Sequence, residues 1–128
     1  MKALLVSGSD AARARTRGAL GPAWEIEVAA DGIEALRTVA TDDEIILVIA
    51  DETTVPYGAF GLAHELKVLP YPPGVIVLLH RAQDAWLAKW SGADRWLVQP
   101  VDAFELGEAA NAIARALDES VEAATQAD

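Results

Sequence analysis

At 128 residues, with 52% apolar and 23% charged residues, the chain has the size and composition of one globular domain with a sizeable core, which excludes intrinsic disorder. Ten Lys+Arg against twenty Asp+Glu leave a net charge of −10, and such a surface repels nucleic acid and anionic lipid, both of which are bound through basic patches. Cysteine is absent and no apolar run reaches membrane-spanning length, so disulfides, thiolate metal sites and a transmembrane helix are excluded, and a soluble cytoplasmic protein is expected.

The first apolar run, Ala3 to Val6, closes on Ser7-Gly8-Ser9-Asp10, too soon for a secretory signal but well suited to a turn and a helix N-cap, with Ser9 or Asp10 as the cap. Ala11 to Leu20 reads as a helix stopped by Gly21-Pro22. Trp24-Glu25-Ile26-Glu27-Val28 alternates strictly, as a half-buried strand does. After Asp31-Gly32, residues Ile33, Leu36, Val39 and Ala40 recur at helical spacing. Ile45 to Ala50 and Val75 to Leu79 are unbroken β-branched runs, the signature of central parallel strands covered on both faces. Between them Phe60, Leu62, Ala63, Leu66 and Leu69 form a helix stripe ended by Pro70 and Pro72-Pro73. A fourth helix runs from about Gln83 to Ser91 and stops at Gly92, and Arg95 to Val98 makes a fifth strand before Pro100. Asp102 with Glu105 resembles a capping box that opens a last helix with Leu106, Ala110, Ile113 and Leu117 on its buried face. From Asp118 to Asp128 the chain reads as a patternless acidic tail, so the domain is placed at 1–117 and the tail at 118–128.

Strands alternating with helices imply an α/β fold with right-handed crossovers. The alternating or mixed second and fifth strands belong at the edges and the apolar ones inside. The expectation is a flavodoxin-like doubly wound sheet of five parallel strands in order 2-1-3-4-5, with five helices. In such a sheet, ligands and chemistry gather outside the carboxyl ends of the strands. The third run ends there on Asp51, a carboxylate placed for work rather than packing.

With these elements placed, residues 1–117 resemble a response-regulator receiver domain. Gly92-Ala93-Asp94-Arg95-Trp96-Leu97-Val98-Gln99-Pro100 is similar to that family's Gly-Ala-x-x-aromatic-apolar-apolar-Lys-Pro, and Ala29-Ala30-Asp31-Gly32-x-Glu34-Ala35-Leu36 matches its second turn and helix. The resemblance implies that Asp51 stands at the phospho-accepting position and Trp96 at the switch aromatic. It also implies a cis bond before Pro100. In the family, two acids hold Mg²⁺, a Ser/Thr and a Lys bind the phosphoryl oxygens, and the positive charges neutralise the transferring group. Here Ser7 and Gly8 replace the acid pair, Leu79 replaces the hydroxyl, and Gln99 replaces the Lys, keeping an amide donor but no charge. The loop after Asp51 also departs, with Pro56 one place and Gly61 two places later than the pattern.

These departures give an expected function: a stand-alone, atypical receiver domain in phosphorelay-type signalling, not itself an enzyme. It is expected to act by protein–protein contact without Mg²⁺-dependent phosphorylation and without a cofactor. The contact is expected at the face of the fourth helix, fifth strand and fifth helix, through a partner or self-association. Trp86 and Trp90, one helical turn apart, are the candidate anchors, against the alternative of a local cluster with Trp96. Two other readings stay open. One is an orthodox receiver phosphorylated on Asp51, with Asp10, helped by Glu52, completing a remodelled Mg²⁺ site. The other is a flavodoxin-type ligand binder using Ser7-Gly8-Ser9. His80 is read as a rim residue near Asp51, and His64 as a surface residue.

Overall fold

The computed structural model describes residues 1–126 of the chain. In chain order the elements are β1 (Lys2–Val6), α1 (Asp10–Leu20), β2 (Glu25–Ala29), α2 (Gly32–Thr41), β3 (Ile45–Asp51), α3 (Gly58–Lys67), β4 (Gly74–Leu79), a 3-10 turn (Ala82–Asp84), α4 (Ala85–Trp90), β5 (Arg95–Val98) and α5 (Ala103–Gln126). All strand pairings are parallel, and the five-stranded sheet has the expected order β2-β1-β3-β4-β5.

Because successive strand side chains alternate between faces, the unbroken apolar runs feed two separate cores. Leu4, Val6, Val48, Ala50, Val75, Val77 and Leu79 pack beneath Ala35 of α2, Leu62 and Leu66 of α3, and Ala88 of α4. Ala3, Leu5, Leu47, Ile49, Ile76 and Leu78 pack beneath Leu20 of α1 and Leu106, Ala110 and Ile113 of α5. The second layer is tight. A Cβ on Gly74 would lie 2.2 Å from Ile113 Cγ2, so glycine lets α5 rest directly on the start of β4. At the opposite end of the sheet, Lys2 pairs with Asp42 (2.5 Å) and Glu27 (3.3 Å). The hydrogen bond to Asp42 is the main reason the Lys2 ammonium is held above its usual range and the Asp42 carboxyl below its own.

Several local expectations change. Ser9, not Asp10, caps α1 by accepting from the Ala12 N–H (3.2 Å). Trp24 precedes β2 instead of belonging to it, and it is buried with its indole N–H donated to Asn111 on α5 (3.2 Å). In α2, Gly32 and Ala35 turn inward and Ile33 is left half exposed, so the buried stripe is offset from the apolar spacing. The fourth helix begins as a 3-10 turn, and Asp102 caps α5 through the Phe104 N–H (3.2 Å). The acidic stretch from Asp118 continues α5 to Gln126, and its Ala, Glu and Gln residues favour helix. Ala127 and Asp128, the end of the expected tail, lie outside the described residues. No helix among the described residues is long and apolar enough to cross a membrane.

Gly18 lies inside α1 with ordinary helical geometry, and a Cβ there would meet nothing within 4 Å. Gly18→Ala therefore raises stability by about 0.5–1 kcal/mol, by removing freedom from the unfolded chain. A denaturant midpoint that falls instead would show a steric constraint at this turn of α1.

Candidate functional site

Strand register brings the site together. Val6 pairs with Ala50, so Ser7, one residue beyond β1, comes level with Asp51 at the end of β3. Asp51 pairs with Leu78 and Leu79 with Val98, which sets His80 and Gln99 just outside the carboxyl ends of β4 and β5. The Gln99 N–H donates to the Leu79 carbonyl (2.8 Å), and the Gln99–Pro100 bond is cis, as the resemblance implied. Val55–Pro56 is also cis, which the sequence reading did not anticipate.

Asp51 is only 2% exposed, and both of its carboxylate oxygens are occupied by the protein itself. The Ser7 hydroxyl donates to Oδ2 at 2.5 Å while accepting the Ser9 N–H at 3.0 Å. On the other side the Thr53 hydroxyl donates to Oδ1 at 2.5 Å while accepting the Gly8 N–H at 3.1 Å. The Thr53 N–H also reaches Oδ1, at 3.0 Å. Each hydroxyl thus bridges a backbone amide to one oxygen of the carboxylate. The loop beneath is fixed by Thr54, whose buried hydroxyl donates to the Val6 carbonyl (3.2 Å).

Thr53 is the residue that sequence reasoning missed. Its signal was present, because an aspartate readily accepts the N–H two residues on, and Asp51-Glu52-Thr53 makes such a turn. Ser7-Gly8-Ser9 makes the matching hydroxyl turn.

The other candidates divide. Asp10 does not move inward: its side chain is 96% exposed and pairs with Arg13. Glu52 is turned to β4, where it accepts the His80 N–H (2.8 Å) and lies 3.9 Å from His80 Nε2. No group of three or more His, Cys, Asp or Glu residues among the described residues is arranged to hold a metal. Leu79 is fully buried in the core under α3 and α4, and its side chain contributes nothing polar. Gln99 lines a recess of about 360 Å³ together with Asp51, Thr53, His80 and Arg15. Trp96 is half-buried against the core beneath α4.

Trp86 and Trp90 are 67% and 65% exposed, so they form no buried cluster with Trp96. Trp90 stacks on His64 of α3, with ring centroids 5.2 Å apart and planes 9° from parallel. Trp90 therefore leans toward the α3–α4 seam, and His64 is a surface residue with a ring partner.

No family model matches the chain. It is 40% identical over 73 residues to uncharacterized response regulatory proteins of two Mycobacterium tuberculosis strains. The match covers 56% of this chain and 55% of each relative, so the chain spans about half the length of the curated relatives it matches. Among solved structures, the receiver domain of a Francisella response regulator superimposes with a TM-score of 0.80 at 21% identity, over 91% of this chain and 98% of that one. A Vibrio cholerae chemotaxis response regulator gives 0.77 at 24% identity, over 88% and 97%. This chain has the receiver-domain fold.

The Ser7 hydroxyl satisfies a buried carboxylate, and deleting it leaves that oxygen short of a donor. Ser7→Ala is expected to cost about 1–3 kcal/mol of unfolding free energy. Chemical denaturation checks this, and a cost near zero would mean that water replaces the hydroxyl freely.

Proposed function

We propose that this receiver-fold domain serves response-regulator signalling through protein contact, with its conformation set by partner binding instead of Mg²⁺-dependent phosphorylation of Asp51. The single observation that carries the reading is the capping of both Asp51 oxygens by Ser7 and Thr53. A phosphoryl acceptor needs one oxygen free for attack on phosphorus and another free for the metal. Hydrogen bonds to a charged group contribute roughly 1.5–3 kcal/mol each, so freeing both oxygens carries a substantial cost. The usual compensation comes from cations. Mg²⁺ seeks near-octahedral oxygen ligation, and here Ser7 and Gly8 stand where two carboxylates would hold it. Gln99 adds no positive charge to stabilise the transferring group. In this reading the domain is not an enzyme and takes no cofactor.

The contact surface is centred on α4. Trp86 and Trp90 expose large aromatic faces on a short helix, and aromatic anchors concentrate binding energy at interface centres. The stack with His64 extends this surface onto α3. A two-state fold needs only differential affinity for its states to be switched, and a partner seated here supplies that affinity without chemistry at Asp51.

Incubation with acetyl phosphate and Mg²⁺, followed by intact-mass analysis, is expected to leave the protein unmodified. A stoichiometric phosphoryl gain that vanishes in Asp51→Asn would establish the orthodox reading instead. The companion variant is Ser7→Asp with Gly8→Asp. A Cβ at Gly8 comes no closer than 3.6 Å to Thr53 Oγ1, so a side chain fits. Two added carboxylates beside Asp51 are expected to create Mg²⁺ binding measurable by calorimetry. Equal binding by the unaltered protein would remove the basis for the proposal.

Trp90→Ala is expected to weaken self-association or binding of the cognate partner by roughly 2 kcal/mol or more, about thirtyfold, with the melting temperature nearly unchanged. Sedimentation and thermal melts separate the two effects. A large loss of stability with association intact would make Trp90 a packing residue.

A further inference from the structure

A second cavity, of about 270 Å³, lies between α1 and α5 and meets the Asp51 recess at a shared wall of Ala12, Arg15 and Gln99. Its floor is apolar, formed by Leu78 and Leu106, and its roof is the small-residue side of α1. The space is not closed by packing, since a Cβ at Gly18 would touch nothing within 4 Å. At its mouth stands Arg15. Like Arg17, Arg37, Lys89, Arg95 and Arg115, Arg15 makes no ion pair or side-chain hydrogen bond among the described residues, and of these six it alone lines this cleft. The Gln99 side-chain amide also lines the cleft and has no hydrogen-bond partner among the described residues.

We propose that this cleft is a binding site for a small amphipathic carboxylic acid. Its hydrocarbon body lies between α1 and α5, and its carboxylate rests on Arg15 and Gln99. The chemistry of the walls selects the class. An apolar chamber with a few convergent polar groups at one end is the common form of a small-molecule site, and this one lies just below the usual size range, which suits a small ligand. The planar guanidinium offers two parallel N–H donors that match a carboxylate, and the Gln99 amide adds a third donor. A multiply charged phosphate is disfavoured, because the buried Asp51 carboxylate lies on the adjoining recess and the chain carries a net charge of −10. A monoanion with an apolar tail meets one cation and leaves most of its surface out of water. A cationic amphiphile meets Arg15 with like charge. The inference is independent of whether Asp51 ever accepts a phosphoryl group.

The test uses octanoate as the probe, with octylammonium, acetate and inorganic phosphate as controls, followed by amide chemical-shift titration of the ¹⁵N-labelled protein. Octanoate is expected to shift the amides of Ala12, Gly18 and Ala19 saturably, and each control is expected to bind at least about tenfold more weakly. Arg15→Gln is expected to weaken octanoate about tenfold with the melting temperature unchanged. Ala12→Leu, which fills the junction, is expected to abolish binding while leaving Arg15 in place. Should Ala12→Leu fail to fold, Arg15→Gln and the octylammonium control decide the matter. Octanoate binding that equals octylammonium binding, or that survives Arg15→Gln unchanged, overturns the proposal. So does an absence of saturable shifts in the unaltered protein.

Discussion

A carboxylate held almost wholly out of water at the end of a central strand must be satisfied by something, and the arrangement at that edge follows from this requirement. A buried ionised group without partners is far more costly than any single packing defect. In this chain the partners are neutral. Two hydroxyls and a backbone amide surround Asp51, and the hydroxyls are themselves oriented by the amides of Gly8 and Ser9. The turns after β1 and β3 are tied to one another through this carboxylate.

The residues around that carboxylate form a consistent set. Ser7 donates a hydrogen bond to Asp51 and adds no like charge beside it. Leu79 has the strand parity of Val75 and Val77, so its side chain extends the core beneath α3 and α4. Gln99 lines the recess with a neutral amide, beside Arg15 from α1. The layers of apolar contact that make the sheet are indifferent to what stands on its rim.

The strand order and the edge positions of β2 and β5 were legible because burial on both faces requires unbroken apolar runs, which a sequence displays openly. Asp51 was legible for the same reason, as the first polar residue after such a run. Thr53 was not singled out, because a hydroxyl two residues past an aspartate is common in loops that bind nothing, and its role depends on Ser7 approaching from a distant strand. The stack of Trp90 on His64 joins residues on two helices, a pairing no local pattern contains. The helical state of the stretch after Asp118 was not legible for a different reason: amphipathic periodicity marks helices that pack, and the side chains of Asp118, Glu119 and Ser120 are exposed.

That last property gives α5 a mechanical character. The helix has 24 residues, and its buried contacts with the sheet come from Leu106, Ala110, Ile113 and Ala114, with Leu117 partly buried beside them. At 1.5 Å per residue, Gln126 stands about 20 Å beyond Ile113 along the helix axis. A tilt of about 10° at the packed end, small enough for side chains to absorb by shear, carries the far end through roughly 3.5 Å. The packed part of α5 is thus a fulcrum and the turns beyond Leu117 a lever arm, converting sub-ångström repacking at the sheet into a displacement large enough for a neighbouring surface to register.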